Sequence, residues 1–323
     1  MIIITGQTAT GKTKLALELA KKYNGELINF DSRQIYKYLD IITGKDLPAH
    51  KPLTKVETGV ETSGIPAAWS RPFERRTPTG KKARQAPFQF EGVWLYDVVT
   101  PDQYFSSFDF VRLAKPIIED IQKRNKTPIL VGGTYLYLKH LLYGIDDNNS
   151  PPNFKLREKL NPKSVKELQG ILKKLSLQSF NRLNHSDQLN PRRLIRKIEV
   201  ESQPHIISKR LPMSQIKPIS QIYQFIGLKY KDKSKLRQAI EKRVEDRLKE
   251  GAIEEVKKLL KMGYKGSDPG MKTIGYQQII KFLSKKITIE KVVEDWVNKE
   301  VQYAKRQLTF MKKDKNISWR ELK

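Results

Sequence analysis

The chain has 323 residues, 38% hydrophobic and 30% charged, which is enough for a sizeable core and is the make-up of a folded, soluble protein. It contains no cysteine, which excludes disulfides, a catalytic thiol and any cysteine-ligated zinc or iron–sulfur site; its four histidines (His50, His140, His185, His205) are scattered without metal-ligand spacing. Lysine and arginine number 62 against 35 acidic residues, a formal net charge of +27, which points either to a polyanionic partner, most often nucleic acid, or to a solvated basic surface.

Ile2–Thr5 is a short, β-branched stretch of buried-strand type, and Met1–Ile4 leads directly into a glycine loop with no signal-peptide core before it. No apolar run approaches the ~18 residues of a membrane span, so a cytoplasmic protein is expected. Gly6–Thr13 reads GQTATGKT and fits G-x-x-x-x-G-K-[ST], a loop whose backbone N–H groups surround phosphate oxygens. Most chains with this loop bind ATP or GTP. Lys12 would supply positive charge to the terminal phosphate and the Thr13 hydroxyl could ligand Mg²⁺. Lys14–Tyr23 then places Leu15, Leu17, Leu19 and Ala20 on a helix that Asn24-Gly25 stops. Glu26–Phe30 is a second strand ending at Asp31, and strand, glycine loop, helix, strand is the opening of a parallel α/β domain. At the C-terminal end of a parallel strand, Asp31 faces the crevice where ligands bind; it could be a general base, help to hold Mg²⁺, or cap the next helix.

Residues 46–92 are rich in Pro and Gly and carry a basic run, Arg71–Arg84, which reads as a mobile insertion, either an RNA-contacting arm or a solvated loop. Core-like sequence resumes at Val93–Val99. Thr127–Val131 is another apolar strand; it breaks at Gly132-Gly133 and leads into a helix over Thr134–Leu142. No aspartate follows it in the place where an ATP hydrolase would hold Mg²⁺ through water, which allows phosphate binding without hydrolysis. Residues 154–186 are helical in pattern and suit a small helical subdomain. From Ser234 helices dominate: Ile240, Val244 and Leu248 recur every four residues, Gly251 interrupts, and Ile253, Val256, Leu259 and Leu260 continue to Gly263. Glu290–Lys312 is a further long amphipathic segment.

Six segments in order carry a resemblance: GQTATGKT, DSRQIYKYLDIITGK (Asp31–Lys45), LVGGTYLYLKHLLYG (Leu130–Gly144), NPRRLIRKIEV (Asn190–Val200), MKTIGYQQI (Met271–Ile279) and QYAKRQLTF (Gln302–Phe310). Together they closely resemble the bacterial tRNA dimethylallyltransferases, also called tRNA isopentenyltransferases. The resemblance implies an α/β fold: a P-loop NTPase-like parallel sheet flanked by helices, with a small all-α insertion domain. The implied division is a core over 1–145 that includes the 46–92 insertion, a helical insertion over 146–186, and a C-terminal, tRNA-binding part of the core over 187–323. It implies transfer of a dimethylallyl group from dimethylallyl diphosphate to the exocyclic N6 amine of the adenosine 3′-adjacent to the anticodon, by a monomer that uses Mg²⁺.

In that reading Gly6, Gln7, Thr8, Ala9, Thr10, Gly11, Lys12 and Thr13 cradle the diphosphate, with Thr13 on the metal. Arg243 resembles a family arginine near the diphosphate, although Lys242 and Arg247 are its neighbours. Asp31 takes the proton of the attacking amine, and Thr134 contacts the target adenosine. The tRNA anticodon stem-loop would meet Asp31, Ser32, Arg33, Gln34, Thr134, Arg157, Arg192, Arg193, Arg196, Lys305, Arg306 and Gln307. Two features depart from the family: Val93-Trp94 replaces a histidine pair, with Asp97 keeping the following carboxylate, and the segment between Lys45 and Val93 is much longer. The zinc finger that some relatives carry is excluded by the absence of cysteine. A P-loop small-molecule kinase shares the expected fold but needs neither the basic charge nor the DSRQ and KRQLTF segments. A non-catalytic RNA-binding protein would not need Lys12, Thr13, Asp31 and Thr134.

Overall fold

The structure, a computed structural model, describes residues 1–45, 89–90, 92–144, 153–202, 222 and 224–322. It divides into two compact units, one formed by Met1–Leu142 with Ile219–Lys323 and the other by Tyr143–Pro218.

The first unit is built on a seven-stranded sheet: β1 (Ile2–Gly6), β2 (Gly25–Asn29), β3 (Gln89–Phe90), β4 (Val93–Trp94), β5 (Thr127–Val131), β6 (Gln224–Tyr230) and β7 (Ser318–Leu322), in the order β3-β4-β2-β5-β1-β6-β7. All pairings are parallel except β3 with β4. β1 lies inside the sheet, between β5 and β6, with all five residues buried, as a continuous IIITG run requires of a strand covered on both faces. Helix α1 (Lys12–Lys22) turns Leu15, Leu17, Leu19 and Ala20 onto Ile2, Ile4, Leu27, Ile129 and Val131, the face its spacing predicts. Around the sheet lie α2 (Ser107–Lys123), α3 (Tyr135–Tyr143), α9 (Lys233–Lys249), α10 (Ala252–Lys261), α11 (Tyr276–Leu283) and α12 (Ile289–Met311). Because β1, β2 and β5 run parallel and adjacent, the glycine loop, Asp31 and the Gly132–Thr134 turn all leave the sheet at the same edge.

The second unit holds α4 (Phe154–Leu160), α5 (Val165–Leu175), α6 (Leu177–Asn181), α7 (His185–Gln188) and α8 (Pro191–Glu201) around Leu160, Leu168, Leu172, Phe180, Leu194, Ile195 and Ile198. This moves the expected boundary. The break expected at 186 lies inside the unit, because the apolar stripe of α8 closes the core of α4–α6 instead of joining the sheet. The basic insertion expected at 46–92 falls outside the described residues, apart from Gln89, Phe90 and Gly92; Gln89–Phe90 is strand β3, so the segment is not structureless to its end. The sequence reading has no counterpart of α2, β6 or β7. The first carries a readable start signal, a capping box in which Ser106 and Asp109 satisfy each other's backbone N–H.

Candidate active site

The glycine loop closes on itself before it can meet a ligand. Gly6 has φ of 142°, and a Cβ there would strike the Leu228 carbonyl of the neighbouring strand, so only glycine lets the chain leave β1 at this point. Thr10 Oγ1 donates to the Gln7 carbonyl at 2.8 Å, and Lys12 Nζ donates to the same oxygen at 2.6 Å, which sets the ammonium inside the loop. Gln7 is buried; its amide donates to the Ala304 carbonyl at 3.5 Å and accepts from the Tyr230 N–H at 3.1 Å. The Gln7 and Thr10 side chains therefore shape the loop. Gly11 and Lys12 open α1, and the half-buried Thr13 follows in its first turn, where backbone N–H groups and the helix dipole favour an anion.

Helix phase decides among the three cations at 242–247. Lys242 is exposed and paired with Asp246, and Arg247 is buried with Glu300 at 4.0 Å. Arg243 donates from Nη1 to Thr8 Oγ1 at 2.9 Å and so stands on the phosphate loop. Both Arg243 and Arg247 crowd Gly44, where a side chain would displace them.

Asp31 answers the choice between capping and chemistry with one oxygen for each. Oδ1 accepts from the Arg33 N–H at 2.9 Å and caps the turn, while a Cβ placed on Gly133 would lie 3.3 Å from Oδ2, so that oxygen faces the glycine turn. Asn29 Oδ1 accepts from the Asp31 N–H at 2.9 Å and fixes the exit from β2. Thr134 bridges the two exits: its Oγ1 accepts from the Ser32 N–H at 2.9 Å and donates to Ser32 Oγ at 3.1 Å. Tyr303 on α12, which residue type alone does not single out, stands close to Thr134 and Asp31. Burial, and then the charge of Asp31, push its hydroxyl well above the ordinary tyrosine range, so it stays protonated.

The expected RNA contacts divide by environment. Arg33 is half-buried with Nη1 at 3.4 Å from the Pro269 carbonyl, and Gln34 is turned inward, donating to the Gly44 carbonyl at 2.5 Å and the Thr43 carbonyl at 3.3 Å. Gln307 is buried, with both ends of its amide engaged by the protein; its depth and its bonds correct the expectation of an RNA contact. Lys305 and Arg306 are exposed and line a shallow depression with Thr309, Phe310 and Lys313; the Phe310 ring packs edge-on against Tyr135 at 5.1 Å.

Within the helical unit, Arg192 and Arg193 are exposed in the first turn of α8, Arg193 reaching Asp187 at 3.1 Å. Arg157 and Arg196 do a different job: Arg157 grips the fully buried Glu199 with Nε at 2.9 Å and Nη2 at 2.8 Å, and Arg196 reaches it at 2.8 Å. Burial pushes the Glu199 carboxyl up, but these hydrogen bonds and that of the Asn153 N–H outweigh it and hold it below the usual range.

The residues at the shorter departure from the family pattern make protein contacts. Trp94 donates from Nε1 to Glu26 at 2.9 Å, and Asp97 pairs with the buried Lys45 at 2.5 Å.

Comparison with known proteins finds relatives that cover nearly the whole chain. The family model described as IPP transferase matches residues 79–314. The tRNA dimethylallyltransferase of Thermoanaerobacter sp. (strain X514) is 34% identical over 326 aligned residues, covering 99% of this chain and 90% of the relative. That of Clostridioides difficile (strain 630) is also 34% identical, covering 100% and 91%. Among solved structures, the full-length tRNA isopentenylpyrophosphate transferase of Bacillus halodurans superposes with a TM-score of 0.60 at 28% identity, over 99% of this chain and 89% of that one. A eukaryotic dimethylallyltransferase acting on tRNA gives 0.69 at 25% identity, over 99% and 73%. With a phosphate loop and a carboxylate–hydroxyl pair leaving adjacent parallel strands, and with these matches along its whole length, the chain belongs to the IPP transferase family, in which its curated relatives are tRNA dimethylallyltransferases.

Proposed function

We propose that this chain transfers a dimethylallyl group from dimethylallyl diphosphate to N6 of the adenosine 3′-adjacent to the anticodon of tRNA, releasing diphosphate. One observation carries the proposal: a loop built for a phosphate group and a carboxylate suited to an amine leave the same edge of the sheet, from β1 and β2 on either side of β5, as an in-line displacement needs. The bond from the allylic carbon to the diphosphate oxygen breaks as the bond from N6 to that carbon forms. Charge then grows on the leaving diphosphate, where the loop N–H groups, Lys12 and Arg243 stabilise it. Asp31 Oδ2 accepts the N6 proton, and Thr134, oriented by Ser32, holds the adenine edge. The base must leave the anticodon-loop stack to get there, which is easier in a loop than in a duplex.

Among the described residues no group of three His, Cys, Asp or Glu could hold a metal, so a Mg²⁺ here would be held chiefly by the diphosphate and water, with Thr13 as its protein ligand. When bound, the ion would add charge neutralisation on the leaving group. No helix among the described residues is long and apolar enough to cross a membrane, and a cytoplasmic monomer suits an enzyme that works on tRNA.

The deciding experiment incubates the protein with labelled dimethylallyl diphosphate, Mg²⁺ and unmodified tRNA. Label appearing on the tRNA supports the proposal. ATP-dependent phosphorylation of a small molecule without prenyl transfer overturns it.

A further inference from the structure

We infer that Gln307 is a positioning residue: its single side-chain amide holds the diphosphate loop and the amine-side turn in register, so that leaving group and nucleophile line up. The inference rests on the proposed transfer reaction and adds a residue to it. Gln307 Oε1 accepts from the Thr8 N–H at 2.9 Å, and Nε2 donates to the Gly133 carbonyl at 3.0 Å. The partners fix the orientation of the amide, since one offers only a donor and the other only an acceptor.

Thr8 lies two residues beyond β1 and Gly133 two residues beyond β5. The ladder that aligns those strands ends before either residue, so something outside the sheet must set the distance between the two loops. The local construction serves that contact. A Cβ on Gly133 would strike Gln307 Nε2, and it would also lie 3.3 Å from Asp31 Oδ2, which puts the bridge beside the carboxylate. On its other side Thr8 receives Arg243, so the residue anchored by Gln307 is the one that carries the arginine. The fold has other anchors for the helix: Trp296, Val297, Ala304 and Met311 of α12 are all buried.

A side chain that only fills space could be replaced by leucine. A bridge that needs one donor and one acceptor cannot. Gln307→Leu keeps the volume and removes both bonds. Gln307→Glu keeps the acceptor for Thr8 but, ionised, turns a second acceptor against the Gly133 carbonyl; once protonated, the acid regains the donor–acceptor pattern of the amide, and burial raises its pKa toward neutrality.

The test measures transfer kinetics, tRNA affinity and melting of the full chain for wild type and both variants. Gln307→Leu should lower kcat about 100-fold, the scale of a small misplacement of reacting groups, with KM for dimethylallyl diphosphate and Kd for tRNA changed less than about threefold. For Gln307→Glu, the ratio of its kcat to that of wild type should rise as pH is lowered from about 8 to about 6. Wild-type kcat in both variants overturns the inference. So does a tenfold or greater loss of tRNA affinity with kcat intact, the mark of an RNA contact. A flat kcat ratio across pH, or loss of folded protein in both variants, overturns it as well, since the amide would then serve the fold. Absence of transfer by the wild-type chain brings down the reaction itself, a separate outcome from any of these.

Discussion

At the scale of single residues, the two oxygens of Asp31 have separable work, and substitution can separate them. Asp31→Asn keeps an acceptor for the Arg33 N–H while removing the base. It should lower kcat by about 10²–10⁴, the range for a lost general base, with tRNA affinity held within about threefold. Asp31→Ala should lose the same activity and in addition about 1 kcal/mol of stability, because the turn cap goes too. Single-turnover transfer and thermal melting check the pair; equal stability of the two variants would remove Oδ1 from its capping role. Arg243 allows a second test of the same kind. Its guanidinium meets the loop at Thr8, whereas Lys242 points to solvent with Asp246 and Arg247 turns inward toward Glu300. Arg243→Gln should raise KM for dimethylallyl diphosphate by about tenfold or more, the worth of one charge-assisted contact, and Lys242→Gln should leave it unchanged.

At the scale of elements, the sheet edge carrying the site depends on how β2 is held at its other end. There Glu26 takes hydrogen bonds from Arg124, Lys126 and Trp94, joining β2 to β4 and to the turn between α2 and β5. The Arg124 guanidinium first, opposed by burial, then Lys126 and Trp94, bring the Glu26 carboxyl down from 4.5 to about 2. The folded pKa lies below the unfolded one, so the stability it contributes is complete above pH 4.5 and is lost as pH falls toward 2. Glu26→Gln should cost about 2 kcal/mol at neutral pH, a figure discounted because Arg124 is partly solvated, and the gap to wild type should close in acid. Denaturant melts across that range test it; a gap that does not change with pH would assign the loss to packing. Trp94, where the family resemblance leads one to expect histidine, thus belongs to a structural cluster. The elements legible in the sequence are those with local signals: β1, β2 and β5 are short β-branched or apolar runs ended by Gly or Asp, and α1 has its stripe of leucines. What was not legible is set by tertiary placement. The stripe Leu194, Ile195, Ile198 can be read as apolar, but nothing local says which core it faces. Gln307 looks like an RNA contact because residue type does not reveal depth. A partial signal existed for Gln307, since Ala304, Gln307 and Met311 recur at three and four residues and place the glutamine, with Tyr303 beside it, on the buried side of α12.

At the scale of the whole molecule, a net charge of +27 says that an anionic partner is attracted, not which cations touch it. The helical unit shows how misleading a count would be, because its four expected RNA contacts divide into two that face water and two that hold the unit together. Arg157 and Arg196 neutralise Glu199, a carboxylate with no exposure, and removing the bidentate partner would strand that charge in the interior. Arg157→Gln should therefore destabilise the chain by about 3 kcal/mol in denaturant unfolding, with tRNA affinity per folded molecule little changed. Arg192→Gln and Arg193→Gln should do the reverse. Each removes an exposed charge at the start of α8, leaves melting unchanged, and weakens tRNA binding across all tRNAs tested. Phosphate contacts reveal themselves through released counterions, so each of these two substitutions should also flatten the dependence of log affinity on log salt by about 0.7–0.9. Binding isotherms at several salt concentrations for the two single variants and the double variant decide the matter. If the slope stays at the wild-type value in the double variant, the RNA face lies elsewhere, and the exposed Lys305, Arg306 and Lys313 beside Phe310 on α12 become the next cations to substitute.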